Sequence, residues 1–149
     1  MPVTDIESLV RDNIRNLTPY RSARDDFDQG TLLDANENSY GSVIRNNLKL
    51  NRYPSPTHDP LRKKIADYRG VDFENIFLGV GSDEAIDLLM RIFCEPGKDS
   101  IMITPPTYGM YKVAANINNV GVKKVQLNDR FQLQPDQITE QAHDSDKIL

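Results

Sequence analysis

The stretch FLGVGSDEAIDLLMRIF, residues 77–93, decides the fold that this sequence predicts. It begins as an apolar strand, turns at two glycines, and continues as a helix that opens on Ser82 and Asp83 and ends near Cys94. After it, apolar strands and amphipathic helices alternate: strands in SIMIT, GVKKVQL and KIL, and helices over residues 107–117 and 135–142. With NIFLGV as the first strand, this alternation predicts an α/β fold with a mostly parallel sheet and helices on both faces.

The first fifty residues have a different pattern. Apolar residues at helical spacing predict one amphipathic helix that ends before Pro19, and the residues are Ile6, Leu9, Val10, Ile14 and Leu17. TLLDANENSYG, residues 31–41, predicts a short strand followed by a polar turn. Three prolines between residues 51 and 60 predict an extended segment. We therefore divide the chain into an N-terminal helix and arm, 1–50, and an α/β segment, 51–149.

A further helix follows the proline-rich segment. Asp59 and Pro60 suit a helix start, and Gly70 suits its end. Between them, Leu61, Ile65 and Tyr68 are spaced to form one apolar face.

Composition and charge exclude several classes of protein. The chain has 149 residues and a formal charge of −4, which gives no reason to expect nucleic acid or an anionic membrane as a partner. No apolar run approaches the roughly 20 residues of a membrane span, and the N-terminus has no signal-peptide pattern. His58 and His143 lack metal-ligand spacing, and Cys94 lies among apolar residues as a small buried hydrophobe. These features predict a cytoplasmic protein without a metal site.

The glycine turn at residues 79–83 has two interpretations. Gly79 and Gly81 let a ligand approach the backbone, and the helix that follows presents free N–H groups and a positive dipole end. Gly81, Ser82 and Asp83 together then suit a phosphate group. The alternative is a plain strand-to-helix turn in which Ser82 is the N-cap, and the segment by itself favours that alternative.

ITPPTYGMY, residues 103–111, follows the next predicted strand. Thr107 is expected to cap a helix, with Tyr108 in its first turn. Ligands of α/β folds bind at the carboxyl ends of parallel strands, so Tyr108 could lie flat on a planar ring there. The alternative is a core tyrosine. If both turns bind a ligand, a phosphorylated heteroaromatic cofactor satisfies both.

Three other stretches could serve a binding site. Tyr53 lies in the proline-stiffened segment, where it could reach a neighbouring subunit or pack on its own domain. Tyr20 and Arg21 follow the first helix, where a solvated basic turn is the simpler interpretation. Asn36 and Glu37 form a polar turn that suits either capping or the binding of a polar ligand.

These stretches together resemble the histidinol-phosphate aminotransferases, which are fold-type I enzymes dependent on pyridoxal 5'-phosphate (PLP). The motifs that carry the resemblance occur in the family's order and spacing: LTPYRSAR (17–24), LDANENSYG (33–41), NRYPSPTHDPLR (51–62), GVGSDEAIDLLMRIFCEPG (79–97) and PPTYGMY (105–111). The resemblance implies amino transfer between histidinol phosphate and 2-oxoglutarate, with glutamate as the other amino-group carrier, in histidine biosynthesis. It also implies a homodimer in which residues 51–149 form the first part of the large PLP-binding domain.

The resemblance implies roles for individual residues. The backbone of Gly81, Ser82 and Asp83 would bind the PLP phosphate, and Tyr108 would stack on the pyridine ring. Tyr53 would reach the phosphate in the partner's site. Tyr20, Asn36 and Glu37 would lie near the substrate.

The sequence departs from the family pattern in three ways. Ser39 stands where proline is frequent, and Val80 stands where asparagine is common. The family's catalytic lysine and substrate-binding arginines come later in its chain than Leu149. We therefore expect an N-terminal fragment with no catalytic residue of its own, without activity and without covalently bound PLP. An open sheet edge would then favour a homodimer or a swapped oligomer.

Two alternatives remain open from the sequence. One is another PLP-dependent aminotransferase or a decarboxylase of the same fold. The other is a short, non-enzymatic α/β module that binds phosphate.

Overall fold

A computed structural model describes residues 5–27, 29–44 and 48–149. The helices are α1 (Ile6–Leu9), α2 (Asp12–Arg15), α3 (Asp59–Arg69), α4 (Gly81–Phe93), α5 (Gly109–Ile117) and α6 (Pro135–Gln141). The strands are β1 (Ser100–Ile103), β2 (Gly121–Lys124) and β3 (Asp146–Ile148). The chain forms two compact units, one of Met1–Leu17 with Gly79–Leu149 and one of Thr18–Leu78. These units group residues by contact, and the division of the sequence at residue 50 stays a prediction.

The three strands form one parallel sheet in the order β2-β1-β3. β1 pairs with β2 in register from Ser100 opposite Gly121 to Ile103 opposite Lys124, and with β3 through Ile101 opposite Ile148. A helix precedes each strand, since α4 leads to β1, α5 to β2 and α6 to β3. The predicted α/β class with a parallel sheet is confirmed.

The hydrophobic core lies between this sheet and the helices α4 and α5. Its buried members are Met90, Cys94, Ile101, Ala114, Ala115 and Val120. The helical spacing of Met90 and Cys94 brings both side chains to the sheet side of α4. Cys94 is buried as predicted, and its burial raises the pKa of the thiol to about 11, so the sulfur stays protonated.

Two predicted strands do not form. Residues 76–80 of NIFLGV have no strand pairing, and Phe77 is 59% exposed. Residues 31–33 are also irregular, and Leu33 is 80% exposed. A strand needs a partner for its backbone groups. β1 already has a neighbour on each side, so only the outer edges of β2 and β3 could accept another strand.

The predicted first helix is also wrong as a single element. It breaks at Val10 and Arg11 into α1 and α2. The Arg11 N–H donates to the Ile92 carbonyl at 3.0 Å, and its guanidinium donates to the Arg91 carbonyl at 2.9 Å and to Glu95 at 3.0 Å. These bonds to the end of α4 replace the helical bond that a continuous helix would make at Arg11.

The predicted helix from Asp59 to Gly70 is confirmed as α3, with Gly70 in the left-handed conformation at its end. Its predicted apolar face is wrong, because Tyr68 is 85% exposed while Ala66 is the buried residue. Arg62 joins α3 to the segment that follows it, because its guanidinium lies 4.1 Å from the centre of the Phe73 ring. Arg62 also donates to the Ile76 carbonyl at 2.7 Å, which fixes the irregular segment that follows α3.

Candidate functional site

The turn before α4 leaves open space beside its backbone. Gly81 has a φ of 71°, in the left-handed region that favours glycine. Apart from its two chain neighbours and the backbone of α4 itself, no atom lies within 4 Å of the place where a Cβ at Gly81 would be. Its N–H donates to the Gly79 carbonyl at 2.9 Å, and the Val80 N–H donates to the Glu84 carboxylate. The turn is therefore closed by its own bonds while its outer side stays accessible.

Helix α4 presents its first-turn amides at this open side. It is 13 residues long and begins at Gly81, one residue before the predicted start. Val80 occupies the N-cap position, and no side chain caps the helix. The alternative in which Ser82 is the N-cap is therefore wrong. The amides of Ser82 and Asp83 have no partner within the helix, as is general for a first turn, and they can bind an anion.

Tyr108 lies next to this turn. Its hydroxyl donates to Asp83 Oδ2 at 3.3 Å, and its ring meets Tyr111 edge to face at 5.9 Å between centroids. Tyr108 is 52% exposed, so the alternative of a core tyrosine is wrong. It holds the N-cap position of α5, a place that the sequence had assigned to Thr107. The structure thus brings Tyr108 and Asp83 together.

The hydrogen bond determines the ionisation of this pair. The bond to Asp83 raises the pKa of Tyr108, and the negative charge of that carboxylate adds to the effect, so the phenol stays protonated. Asp83 Oδ1 is buried and has no hydrogen-bond partner within the described ranges. A carboxylate beside an anion site repels the anion. The Asp83 carboxylate accepts a hydrogen bond from the Tyr108 hydroxyl, which is a polar but uncharged partner. The site therefore offers free amides, an exposed aromatic ring and one oxygen that can still accept a hydrogen bond.

A separate apolar cavity of about 440 Å³ lies in the same unit. Its walls come from α4, β1, α5, α6 and β3 and from residues between these elements, with Met90, Ile103, Tyr111 and Ile148 among them. Ser82, Asp83 and Tyr108 are not part of its lining, and no charged side chain is. The cavity is therefore unsuited to a phosphate, and the candidate site is the glycine turn.

The other predicted site residues belong to the Thr18–Leu78 unit. Tyr20 is 91% exposed and Tyr53 is 73% exposed. Asn36 is exposed and has a φ of 51°, a left-handed conformation that asparagine tolerates better than most residues. The Glu37 side chain is only 4% exposed. Within this unit the structure joins Glu37 to Tyr53 but gives Tyr20 no comparable contact among the described residues.

Glu37 is the centre of a polar cluster. Its Oε1 accepts the backbone N–H of Tyr53 at 2.7 Å. Its Oε2 accepts from Arg52 Nη1 at 2.6 Å and from Arg24 Nη2 at 3.1 Å. Arg24 Nη2 also donates to Asp34 at 3.0 Å. The Tyr53 N–H and the two arginines lower the pKa of Glu37 to about 2, so its carboxylate is charged at neutral pH.

Sequence reasoning missed both arginines. Arg24 and Arg52 stand inside stretches in which only Tyr20, Arg21 and Tyr53 were considered for a site. The signal that could have found them is indirect, because a buried glutamate needs cationic or N–H partners. That signal requires knowing that Glu37 is buried, and a polar turn between asparagines does not indicate burial.

The described ranges contain neither a candidate metal site nor a candidate membrane-spanning helix. No group of three or more His, Cys, Asp or Glu side chains there is placed to hold a metal ion. In the same ranges, none of the helices has both the length and the apolar content needed to cross a membrane.

Comparison with known proteins gives the family. The family model for aminotransferase class I and II matches residues 26–149, which include the glycine turn, Tyr108 and the Glu37 cluster except Arg24. This chain belongs to the aminotransferase class I and II family. Within the family, it is 49% identical over 147 residues to the histidinol-phosphate aminotransferase of Parabacteroides distasonis, an alignment that covers 97% of this chain and 41% of the relative.

Other relatives extend this likeness to distant organisms. The histidinol-phosphate aminotransferase of Schizosaccharomyces pombe is 49% identical over 145 residues, covering 91% of this chain and 38% of the relative. That of Cytophaga hutchinsonii is 48% identical over 146 residues, covering 97% of this chain and 41% of the relative. This chain thus spans about two fifths of the length of these curated relatives.

Proposed function

We propose that this chain is part of a PLP-dependent aminotransferase that transfers an amino group between histidinol phosphate and 2-oxoglutarate, with glutamate as the second amino-group carrier. The observation that supports it most is the open turn at Gly81, with an exposed tyrosine hydrogen-bonded beside it, in a member of an aminotransferase family. The substrate assignment depends on relatives that are nearly half identical to this chain and are named histidinol-phosphate aminotransferase. The pathway would be histidine biosynthesis in the cytoplasm.

The residues of the turn fit the phosphate end of PLP. The free amides of Ser82 and Asp83 would hold the phosphate, because they lie at the positive end of α4, and Gly81 would let it approach because the glycine has no side chain. The Asp83 carboxylate is bonded to the Tyr108 hydroxyl, which gives it a partner other than the phosphate. The exposed face of the Tyr108 ring would cover the pyridine ring. When bound, PLP supplies the electron sink of the reaction.

Four residues of the Thr18–Leu78 unit are the remaining proposed contacts of the cofactor and the substrate. Tyr53, whose ring is exposed, would reach the phosphate bound by the partner of a homodimer. Tyr20 and Asn36 would lie near the substrate together with the turn that contains Glu37. None of the lysines in this chain matches the position of the family's catalytic lysine, so we assign no catalytic residue here.

The assay of the complete enzyme tests this function. With histidinol phosphate and 2-oxoglutarate, we expect glutamate to form at a kcat/KM at least about a hundredfold above that with phenylalanine as amino donor. The reason is that a site built for a polar group discriminates strongly against a substrate lacking it. Equal rates would favour a broader aminotransferase, and release of carbon dioxide from phenylalanine would favour a decarboxylase. Phosphate binding without any turnover would favour the non-enzymatic module.

A further inference from the structure

The Glu37 carboxylate uses both of its oxygens within its own unit. Oε1 accepts from the Tyr53 N–H, and Oε2 accepts from Arg24 and Arg52. With 4% of the side chain exposed, the carboxylate is turned away from solvent. A ligand could reach it only if these bonds were broken, which would leave two guanidinium groups and a backbone N–H without their acceptor. Direct contact with a substrate is therefore costly for Glu37.

A second bond runs between the same two segments. Asn51 Nδ2 donates to the Asn38 carbonyl at 2.9 Å. With the bond from the Tyr53 N–H to Glu37, it fixes residues 37–38 alongside residues 51–53 at two points. None of these residues lies in a helix or strand, so side chains must supply the support that backbone pairing gives elsewhere.

The ring of Tyr53 stays outside this cluster. Tyr53 is 73% exposed, while its own N–H and the neighbouring Arg52 side chain are both bound to Glu37. The backbone is thus held at the residue whose side chain is free to project. Such an arrangement suits a tyrosine that must meet something beyond its own unit.

We infer that Glu37 is a positioning residue, whose buried carboxylate fixes the backbone at Tyr53 and so places the phenol for binding the cofactor phosphate. The inference rests on the proposed function for the role of Tyr53, but not for the role of Glu37 in holding the segment. It replaces contact between Glu37 and the substrate with an effect transmitted through Tyr53. Loss of Glu37 should then weaken cofactor binding and leave substrate affinity at saturating cofactor unchanged.

The first arm of the test measures the segment in the complete enzyme without cofactor. Hydrogen exchange at the Tyr53 amide should become at least about tenfold faster in Glu37→Ala, since one lost bond of this kind is worth about a factor of ten. Glu37→Gln keeps an oxygen for the Tyr53 N–H and should fall between wild type and Glu37→Ala. Glu74→Gln is the matched control, because Glu74 is exposed in the same unit, and it should leave the exchange rate unchanged. Unchanged exchange in Glu37→Ala would overturn the inference.

The second arm is a double-mutant cycle on the dissociation constant for PLP. Glu37→Ala should raise this constant about tenfold in the wild-type background and by less than about twofold in a Tyr53→Phe background. Equal effects in both backgrounds would overturn the inference, because Glu37 would then act without Tyr53. A rise in KM for histidinol phosphate at saturating PLP, with unchanged PLP affinity, would also overturn it in favour of substrate contact.

The two arms separate the inference from the proposed function. If Tyr53→Phe alone leaves PLP affinity unchanged, the proposed role of Tyr53 is wrong. Faster exchange at the Tyr53 amide in Glu37→Ala would still establish Glu37 as the group that holds the segment.

Discussion

Each of the two units of this chain is stabilised internally by a different kind of interaction. Around Ile101, the side chains of α4, α5 and β1 form an apolar core in which each residue is replaceable by another of similar size. Around Glu37, the short 3-10 helix that contains Arg24 and two irregular segments meet on a single carboxylate that accepts three hydrogen bonds. The first arrangement tolerates substitutions that conserve side-chain volume, whereas the second depends on one charged group. The proposed cofactor contacts come from both kinds of region.

Each unit contains a carboxylate side chain that is almost fully buried, Asp146 in one and Glu37 in the other. The Asp146 side chain is 3% exposed in β3, and the Glu37 side chain is 4% exposed. Asp146 binds Lys123 at 2.7 Å, the Ser100 hydroxyl and the His143 N–H, so it reinforces a sheet that backbone bonds already hold. Glu37 has no such sheet beneath it. Its loss should therefore be felt locally, in the geometry of residues 34–38 and 51–53.

The largest expected effect is in the apolar core. Ile101→Ala should lower the free energy of unfolding by about 2–5 kcal/mol, because Ile101 is 2% exposed and its removal leaves a cavity. Ile117→Ala is the matched control, since Ile117 is 69% exposed, and it should change stability by no more than about 0.5 kcal/mol. Urea unfolding of both variants checks this. Equal losses would mean that the core is not centred on Ile101.

The next effect concerns the buried carboxylate of the sheet. Asp146→Asn should cost about 1–3 kcal/mol, because the amide cannot form a charged bond with Lys123 and still accept from Ser100 and His143. Lys123→Met should cost less, since Lys123 is 33% exposed and its loss leaves Asp146 two donors. Urea unfolding at neutral pH compares the two. A larger cost for Lys123→Met would contradict this description of the pair.

A pH dependence should mark the Glu37 cluster. The pKa of Glu37 is about 2 in the folded protein and lies below the usual value of 4.5. Between these two values, the unfolded state therefore binds more protons than the folded state. The stabilisation of the segment by Glu37 is therefore complete above about pH 5 and is lost as the pH falls towards 2. The opening of the Tyr53 amide, compared between wild type and Glu37→Gln, should show a difference that shrinks over this range. A difference independent of pH would mean that the charge of Glu37 does not hold the segment.

The smallest effect is expected at Tyr108. Tyr108→Phe removes one hydrogen bond at a half-exposed site and should change stability by no more than about 0.5 kcal/mol. The ring remains, so PLP affinity should change by less than about threefold, whereas Tyr108→Ala should weaken it about tenfold by removing the stacking surface. Absorbance titrations with PLP measure both. Equal weakening by the two variants would show that the hydroxyl, not the ring, matters.

The sequence predicted the sheet unit well because its residues repeat with the periods of helices and strands. The helices α4, α5 and α6 and the strands β1 to β3 lie where apolar periodicity put them, within two residues at each end except that β2 stops three residues before the end of GVKKVQL. The same reasoning failed for NIFLGV and the first helix. A strand pattern cannot specify its partner, and Arg11 bonds to the end of α4, far away in sequence.

The candidate site was predicted for a reason that is only partly right. The glycine turn and Tyr108 were assigned to one cofactor because each was expected to follow a strand of the sheet, yet only β1 is a strand. Their proximity comes instead from the packing of α4 against α5, which the bond from Asn118 to Asp87 at 2.6 Å supports. The partners of Glu37 could not be predicted at all, because contacts between irregular segments leave no periodic pattern.

The central proposal is that the turn at Gly81–Asp83 binds the phosphate of PLP. Amide signals of these three residues in the ¹⁵N-labelled enzyme, followed during titration with PLP and separately with pyridoxal, test it most directly. We expect large shifts at Gly81, Ser82 and Asp83 with PLP and much smaller ones with pyridoxal, which has no phosphate. Binding of PLP that leaves these amides unshifted, or equal shifts with both compounds, would contradict the claim.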